Sequence, residues 1–130
     1  HRITNISGSS TYYLGSITAY AYPAKVRLLG VSWETLEKYG AVSEETIKEM
    51  SLGVRRALSA DIGLAVSGIA GPTGGTALKP VGYSWIGISS VRGFYTLQHN
   101  AGGNRMENKQ EIAQLALEFL YKYLVGDVED

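Results

Sequence analysis

The lysine at position 25 is placed where an amine can do chemistry. Pro23 suits the first position of a helix, where its missing N–H needs no partner, and Gly30 suits the residue just past the helix end. Lys25 is therefore predicted to lie in the first turn, where the helix dipole favours loss of its proton and base catalysis. Base chemistry near neutral pH also requires burial or a neighbouring cation. The alternative is a solvated lysine on the helix surface.

The most distinctive motif is a glycine-rich stretch that follows a predicted strand. Glycine permits backbone conformations and close contacts that a side chain would block, so such a loop can present N–H groups to a phosphate or an oxyanion. The stretch contains neither a Walker motif nor Gly-x-Gly-x-x-Gly. An ordinary loop between two strands is the alternative. The candidate ligand-contacting residues are Ser67, Gly68, Gly71, Gly74, Gly75 and Thr76.

Aromatic and cationic side chains add weaker candidates. Tyr20 belongs to a cluster with Tyr12, Tyr13 and Tyr22, whose rings can stack on a flat heterocycle such as a pyridine or pack into the core. Arg105 is predicted to lie where the last helix begins and can pair with an anionic ligand, or it is a plain surface arginine. No histidine or carboxylate cluster has metal-ligand spacing, so neither a metal nor a cofactor is predicted.

Composition narrows the class of protein. The 130 residues suit one domain, and 45% of them are hydrophobic, which is enough for a core. Twelve basic and twelve acidic residues cancel, so nothing favours binding to nucleic acid or to an anionic membrane. The absence of cysteine excludes thiol chemistry. Without an apolar run of roughly 18 residues, no membrane span is predicted, and a cytoplasmic location is expected.

The helices and strands that must position these residues can be predicted from the spacing of apolar residues and from helix-capping residues. Helices are predicted from Pro23, after Ser32, after Ser43 and from Arg105 to Leu124. Strands are predicted at 16–21, at 62–66, where the apolar run indicates burial on both faces, and in a hairpin at 82–91 and 94–99. Helices alternating with strands predict an α/β layered fold with a mixed sheet.

Several segments together resemble the CinA C-terminal domain. The resemblance runs in order from Ile3 to Trp85 and continues loosely through the last helix. It implies an α/β/α sandwich, homo-oligomerisation and metal-free hydrolysis of nicotinamide mononucleotide to nicotinic acid mononucleotide and ammonia. The matching segments are Ser7-Gly8-Ser9-Ser10, Tyr20, Ala24-Lys25-Val26, Leu29-Gly30-Val31, Gly40-Ala41-Val42-Ser43-Glu44, Ser67-Gly68-Ile69-Ala70-Gly71-Pro72 and Lys79-Pro80-Val81-Gly82.

The resemblance also implies roles for individual residues. The family nucleophile is the serine of a Ser-Cys-Thr-Gly-Gly segment, which would lie just upstream of His1, and the base is the lysine that aligns with Lys25. Tyr20 would orient the base or the substrate, and the glycine-rich loop and Arg105 would form part of the substrate pocket. The opening residues are typical of the end of a helix, so a preceding piece is expected and residues 1–130 are interpreted as one N-terminally incomplete domain.

Two departures from the family pattern matter. Tyr22-Pro23 stands where Asn-Glu commonly precedes the Ala-Lys pair, and Asn104 replaces the aspartate of Gly-Asp-Arg. The alternative function is a non-catalytic nucleotide-binding or oligomerising module that lacks the serine. The sequence upstream of His1 separates the two hypotheses.

Overall fold

The structure, a computed structural model, describes residues 1–128. Two single-turn 3-10 helices at Ile3–Asn5 and Ser9–Thr11 come first. The remaining elements, in chain order, are helices α1 (Tyr22–Leu29), α2 (Trp33–Tyr39) and α3 (Glu44–Ala57), strands β1 (Gly63–Gly68), β2 (Tyr83–Ser90) and β3 (Gly93–Asn100), and helix α4 (Arg105–Leu124).

Local capping determines where the helices begin and end. The side chains of Ser32 and Ser43 each accept a hydrogen bond from the backbone N–H three residues on, at the start of α2 and α3. Asn104 and Glu107 form a reciprocal capping box at the start of α4. Gly30 ends α1 in the left-handed conformation, with φ of 70°. The predicted starts of all four helices are confirmed.

The three strands form one antiparallel sheet in the order β1-β2-β3. Val66 lies opposite Ile86, which in turn lies opposite Leu97 on the next strand. Because successive side chains of a strand point to opposite faces, each strand contributes to two cores.

Helices cover both faces of the sheet. Ile47 of α3 belongs to the core on one face, together with Ala65 and α1, while Ile86 and Phe119 belong to the core between the other face and α4. Ile47 and Ile86 have no exposed surface, and full burial of such a side chain contributes about 1.5–3 kcal/mol. The predicted α/β class is confirmed, and its arrangement is a three-layer α/β/α sandwich.

Three local predictions were wrong. Residues 16–21 do not pair as a strand, because Ile17 and Ala19 pack against the core on the α1 and α3 side without making ladder hydrogen bonds. Without that segment, every strand pair within residues 1–128 is antiparallel, so the sheet described is not mixed. Strand β1 is not buried on both faces, since Val66 is 39% exposed.

Candidate functional site

Lys25 lies where the sequence predicted it, in the first turn of α1 behind Pro23. Its side chain is only 6% exposed. The Nζ atom donates hydrogen bonds to the carbonyl oxygens of Ala19, at 2.8 Å, and of Tyr20, at 3.1 Å. The lysine therefore reaches back across the segment that precedes its own helix and is held there by main-chain atoms.

Burial changes the acid–base chemistry of this lysine. Removal from water lowers the pKa of the Lys25 ammonium, and the electrostatic influence of Tyr20 partly opposes this effect. A lysine with a lowered pKa supplies neutral amine at lower pH than a solvated one does. The sequence placed Lys25 in the helix, but the structure shows the burial that base chemistry requires.

Tyr20 contacts Lys25 through its backbone and not through its phenol. Its side chain is 82% exposed, and its hydroxyl accepts a hydrogen bond of 3.4 Å from Nη2 of Arg105. The phenol is thus placed to face a ligand beside Arg105. Its predicted role in orienting the base or the substrate stays a prediction.

Arg105 joins the start of α4 to the glycine-rich loop. Its Nη1 donates a hydrogen bond of 2.8 Å to the carbonyl oxygen of Gly71, while Nη2 faces Tyr20. One guanidinium therefore links the loop to the segment that carries Lys25. Arg105 is nevertheless exposed, so its predicted contact with a ligand stays a prediction.

Only some of the predicted residues of the glycine-rich loop lie near Lys25, Tyr20 and Arg105. Ser67 and Gly68, at the end of β1, line a cleft together with Lys25, Tyr20 and Arg105. Gly71 does not line the cleft, but its carbonyl oxygen accepts the hydrogen bond from Arg105. Gly74, Gly75 and Thr76 are not among the residues that line it. Thr76 closes a turn with Lys79, and a Cβ at Gly75 would lie 2.7 Å from the backbone nitrogen of Val81.

The cleft has a volume of about 1310 Å³ and lies between residues 2–25, strand β1 and helix α4. Among the described residues, its walls carry cationic side chains and no acidic ones. Most of the remaining lining residues are apolar or aromatic, and Met50 and Val54 of α3 are among them. The cations are Arg2, Lys25, Arg105 and Lys109.

The four clustered tyrosines also line the cleft. Tyr12, Tyr20 and Tyr22 are exposed and Tyr13 is partly buried. Tyr22 packs beside the ring of Trp33, with the ring centroids 6.4 Å apart, so at least one of the four rings makes a packing contact within the protein. A smaller cavity of about 260 Å³ lies between α1 and α3 and contains none of the predicted site residues.

Sequence reasoning missed Asn108, a polar residue on the buried face of α4. It is 1% exposed, and its amide nitrogen donates to the carbonyl oxygen of Ala70 in the glycine-rich loop. One signal was present in the sequence: Asn108 is spaced by four residues from Ile112 and so falls on the apolar face.

Within residues 1–128 no group of three or more histidine, aspartate or glutamate side chains is arranged to hold a metal ion. None of the described helices is both long and apolar enough to cross a membrane.

Known proteins with similar sequences include CinA-like proteins and putative competence-damage inducible proteins. The sequence model of the CinA C-terminal domain matches residues 1–124. A CinA-like protein of Desulfosudis oleivorans is 52% identical over 124 residues, which are 95% of this chain and 30% of that protein. A CinA-like protein of Salinibacter ruber is 47% identical over 118 residues, covering 91% of this chain and 29% of that protein. The chain thus spans less than a third of the length of these relatives.

Solved structures show the same fold. Competence damage-inducible protein A from Klebsiella pneumoniae superimposes with a TM-score of 0.90 and 30% identity, over 95% of this chain and 76% of that one. The competence/damage inducible protein CihA from Agrobacterium tumefaciens gives a TM-score of 0.84 and 37% identity, over 91% and 73% of the two chains. About a quarter of each solved chain therefore lies outside the match.

Proposed function

Because the chain belongs to the family of CinA C-terminal domains, we propose that its full-length protein hydrolyses the carboxamide of nicotinamide mononucleotide, which gives nicotinic acid mononucleotide and ammonia. The observation that carries the proposal is the buried Lys25 at the wall of a cleft whose other charged lining residues, Arg2, Arg105 and Lys109, are all basic. A buried amine with a lowered pKa suits a general base, and the cleft suits an anionic substrate.

Each part of the substrate has a chemical counterpart in the cleft. The phosphate is a dianion near neutral pH, and the guanidinium of Arg105 with the ammonium of Lys109 supplies positive charge at one wall. The pyridine ring is flat and can stack on the exposed rings of Tyr20 or Tyr22. The carboxamide would then lie towards Lys25.

The reaction needs a nucleophile that Lys25 can activate. Within residues 1–128 both hydrogen bonds of Lys25 Nζ go to backbone carbonyls, and the hydroxyl of Ser67 donates to the carbonyl oxygen of Ala41. The resemblance supplies the nucleophile from a Ser-Cys-Thr-Gly-Gly segment upstream of His1. The cleft, at about 1310 Å³, exceeds the 300–1,000 Å³ of common ligand pockets and so has room for that segment and a mononucleotide.

The proposed mechanism has two acyl-transfer steps. Neutral Lys25 takes the proton of the upstream serine, whose oxygen attacks the carboxamide carbon. The tetrahedral intermediate collapses, the C–N bond breaks, and the departing nitrogen receives the proton from Lys25 to leave as ammonia. Lys25 then deprotonates a water, which attacks the ester, and the serine regains its proton as the carboxylic acid is released. Backbone N–H groups would stabilise the oxyanion in both steps.

The direct test is incubation of the full-length protein with nicotinamide mononucleotide. We expect ammonia and nicotinic acid mononucleotide in equal amounts, and much slower reaction of nicotinamide riboside, which lacks the phosphate for Arg105 and Lys109. Unchanged nicotinamide mononucleotide after prolonged incubation would contradict the proposal.

Nucleotide binding without catalysis is the second candidate. It is favoured because both hydrogen bonds of Lys25 Nζ within the described residues go to carbonyl oxygens and neither goes to a hydroxyl group. The sequence upstream of His1 separates the candidates, because a Ser-Cys-Thr-Gly-Gly segment supports hydrolysis and a different sequence there supports binding alone.

A further inference from the structure

Asn108 occupies an unusual place for a carboxamide. The buried face of α4 otherwise carries apolar or aromatic side chains, including Ile112, Ala116 and Phe119. Asn108 is nevertheless 1% exposed. Burial of a polar side chain costs free energy unless its hydrogen bonds are made, so its partners determine what it contributes.

Both ends of the Asn108 carboxamide have partners. Its Oδ1 accepts a hydrogen bond of 2.9 Å from the backbone nitrogen of Gly103, just before α4. Its Nδ2 donates a hydrogen bond of 3.0 Å to the carbonyl oxygen of Ala70. Asn108 thus connects the entry to α4 with a loop 38 residues earlier in the chain.

Arg105 holds the next carbonyl of the same loop. Asn108 binds the carbonyl of Ala70, and Arg105, one helical turn earlier, binds that of Gly71. Two consecutive loop carbonyls are therefore fixed by two side chains of one helix turn. The Asn108 bond is sheltered from water, while Arg105 lies at the cleft with its second nitrogen facing Tyr20.

We propose that Asn108 is a positioning residue that holds the Ala70–Gly71 segment of the glycine-rich loop against α4 and thereby fixes Arg105 at the cleft. Asn108 acts through these groups and does not touch the ligand. The inference rests on the proposed function in so far as the cleft is taken to bind a nucleotide.

The test uses three variants of the full-length protein. Asn108→Leu has similar volume and removes both hydrogen bonds. Asn108→Asp keeps an acceptor for Gly103 and loses the donor to Ala70. Phe119→Leu is the matched control, because it truncates the same buried face about 16 Å along the helix without touching the loop.

Two measurements are made on each variant: hydrogen exchange of the loop amides of Ile69 and Thr76, which are hydrogen-bonded to the backbone, without ligand, and the Kd for nicotinamide mononucleotide by calorimetry. Both Asn108 variants lose the hydrogen bond to Ala70, so for both we expect exchange about tenfold faster and a Kd raised about tenfold. Phe119→Leu should lower the unfolding temperature and leave the loop exchange and the Kd at parental values.

The outcomes separate positioning from simple stability. Parental loop exchange in both Asn108 variants, or the same exchange change in Phe119→Leu, would overturn the inference. If Asn108→Leu does not fold, Asn108→Asp alone decides, since it keeps the bond at the helix start. If the parent protein does not bind nicotinamide mononucleotide, the proposed function fails, and the ligand-free exchange still decides the role of Asn108.

Discussion

At the scale of single residues, Lys25 owes its chemistry to its surroundings. An amine in the first turn of a helix is ordinarily solvated, but this one is almost completely buried and hydrogen-bonded to two carbonyl oxygens. Burial disfavours the ammonium form and lowers the pKa of Lys25, while the electrostatic influence of Tyr20 partly opposes this effect. The helix position was predictable from Pro23 and Gly30. The burial was not, because it depends on the path of residues 15–21 over the lysine.

The lowered pKa of Lys25 predicts a pH dependence of stability. Between the lowered pKa of the folded state and the ordinary value of the unfolded chain, only the unfolded chain holds this proton, so the free energy of unfolding should rise with pH. We expect the stability of the parent, relative to Lys25→Met, to increase as the pH is raised through this window. Denaturant unfolding at several pH values measures it.

The control for that experiment is Lys38→Met, since Lys38 is an exposed lysine in α2. The pH dependence of its stability difference from the parent is the baseline for Lys25→Met. A pH dependence for Lys25→Met no larger than this baseline would contradict the claim of a perturbed Lys25.

At the scale of elements, two helix caps and the antiparallel hairpin of β2 and β3 were predictable, but the unpaired state of residues 16–21 was not. Ser32 and Ser43 marked two helix starts because each has a short polar side chain that accepts a backbone N–H. Residues 16–21 had the composition of a strand, yet pairing depends on a partner edge that local composition does not specify.

Two glycines of the glycine-rich loop are predicted to differ in how much their substitution lowers the stability. Gly71 and Gly74 both have left-handed backbone, with φ of 88° and 95°. A Cβ at Gly71 would lie 2.4 Å from Val81 Cγ1, while one at Gly74 would lie 3.5 Å from Ile69 Cγ2. We expect Gly71→Ala to cost about 2 kcal/mol or more and Gly74→Ala about 1 kcal/mol.

Thermal unfolding of these two variants checks the order, with Gly102→Ala as the control. Gly102 is exposed, has no left-handed φ, and a Cβ there would meet no atom within 4 Å. The unfolding temperature of Gly102→Ala should stay near that of the parent. Equal losses for Gly71→Ala and Gly74→Ala would mean that the contact with Val81 does not constrain the loop.

At the scale of the whole molecule, the cleft depends on segments far apart in the chain. Lys25, Ser67 and Arg105 come together because α1, β1 and α4 meet there. The glycine-rich motif correctly indicated Ser67 and Gly68 as part of this wall. Gly74 and Gly75 do not line the wall, because the loop turns back on itself at Thr76 and Lys79. Sequence spacing alone could not separate these two halves of the loop.

The contacts of Lys25 predict different activities for residues 1–130 alone and for a longer protein. We expect residues 1–130 alone to release no ammonia from nicotinamide mononucleotide, because Lys25 Nζ meets no hydroxyl within the described residues. Extension through an upstream Ser-Cys-Thr-Gly-Gly segment should restore turnover. A colorimetric ammonia assay compares the two, and equal turnover would assign the nucleophile to the 130 residues themselves.

The measurement that tests the central claim most directly is the turnover of nicotinamide mononucleotide by full-length Lys25→Met. The substitution keeps the aliphatic stem and removes the base, so kcat should fall by about a hundredfold or more. The Kd and the circular dichroism spectrum should stay near those of the parent, and Lys38→Met should keep parental kcat. A kcat for Lys25→Met within a few-fold of the parent would contradict the assignment of Lys25 as the catalytic base.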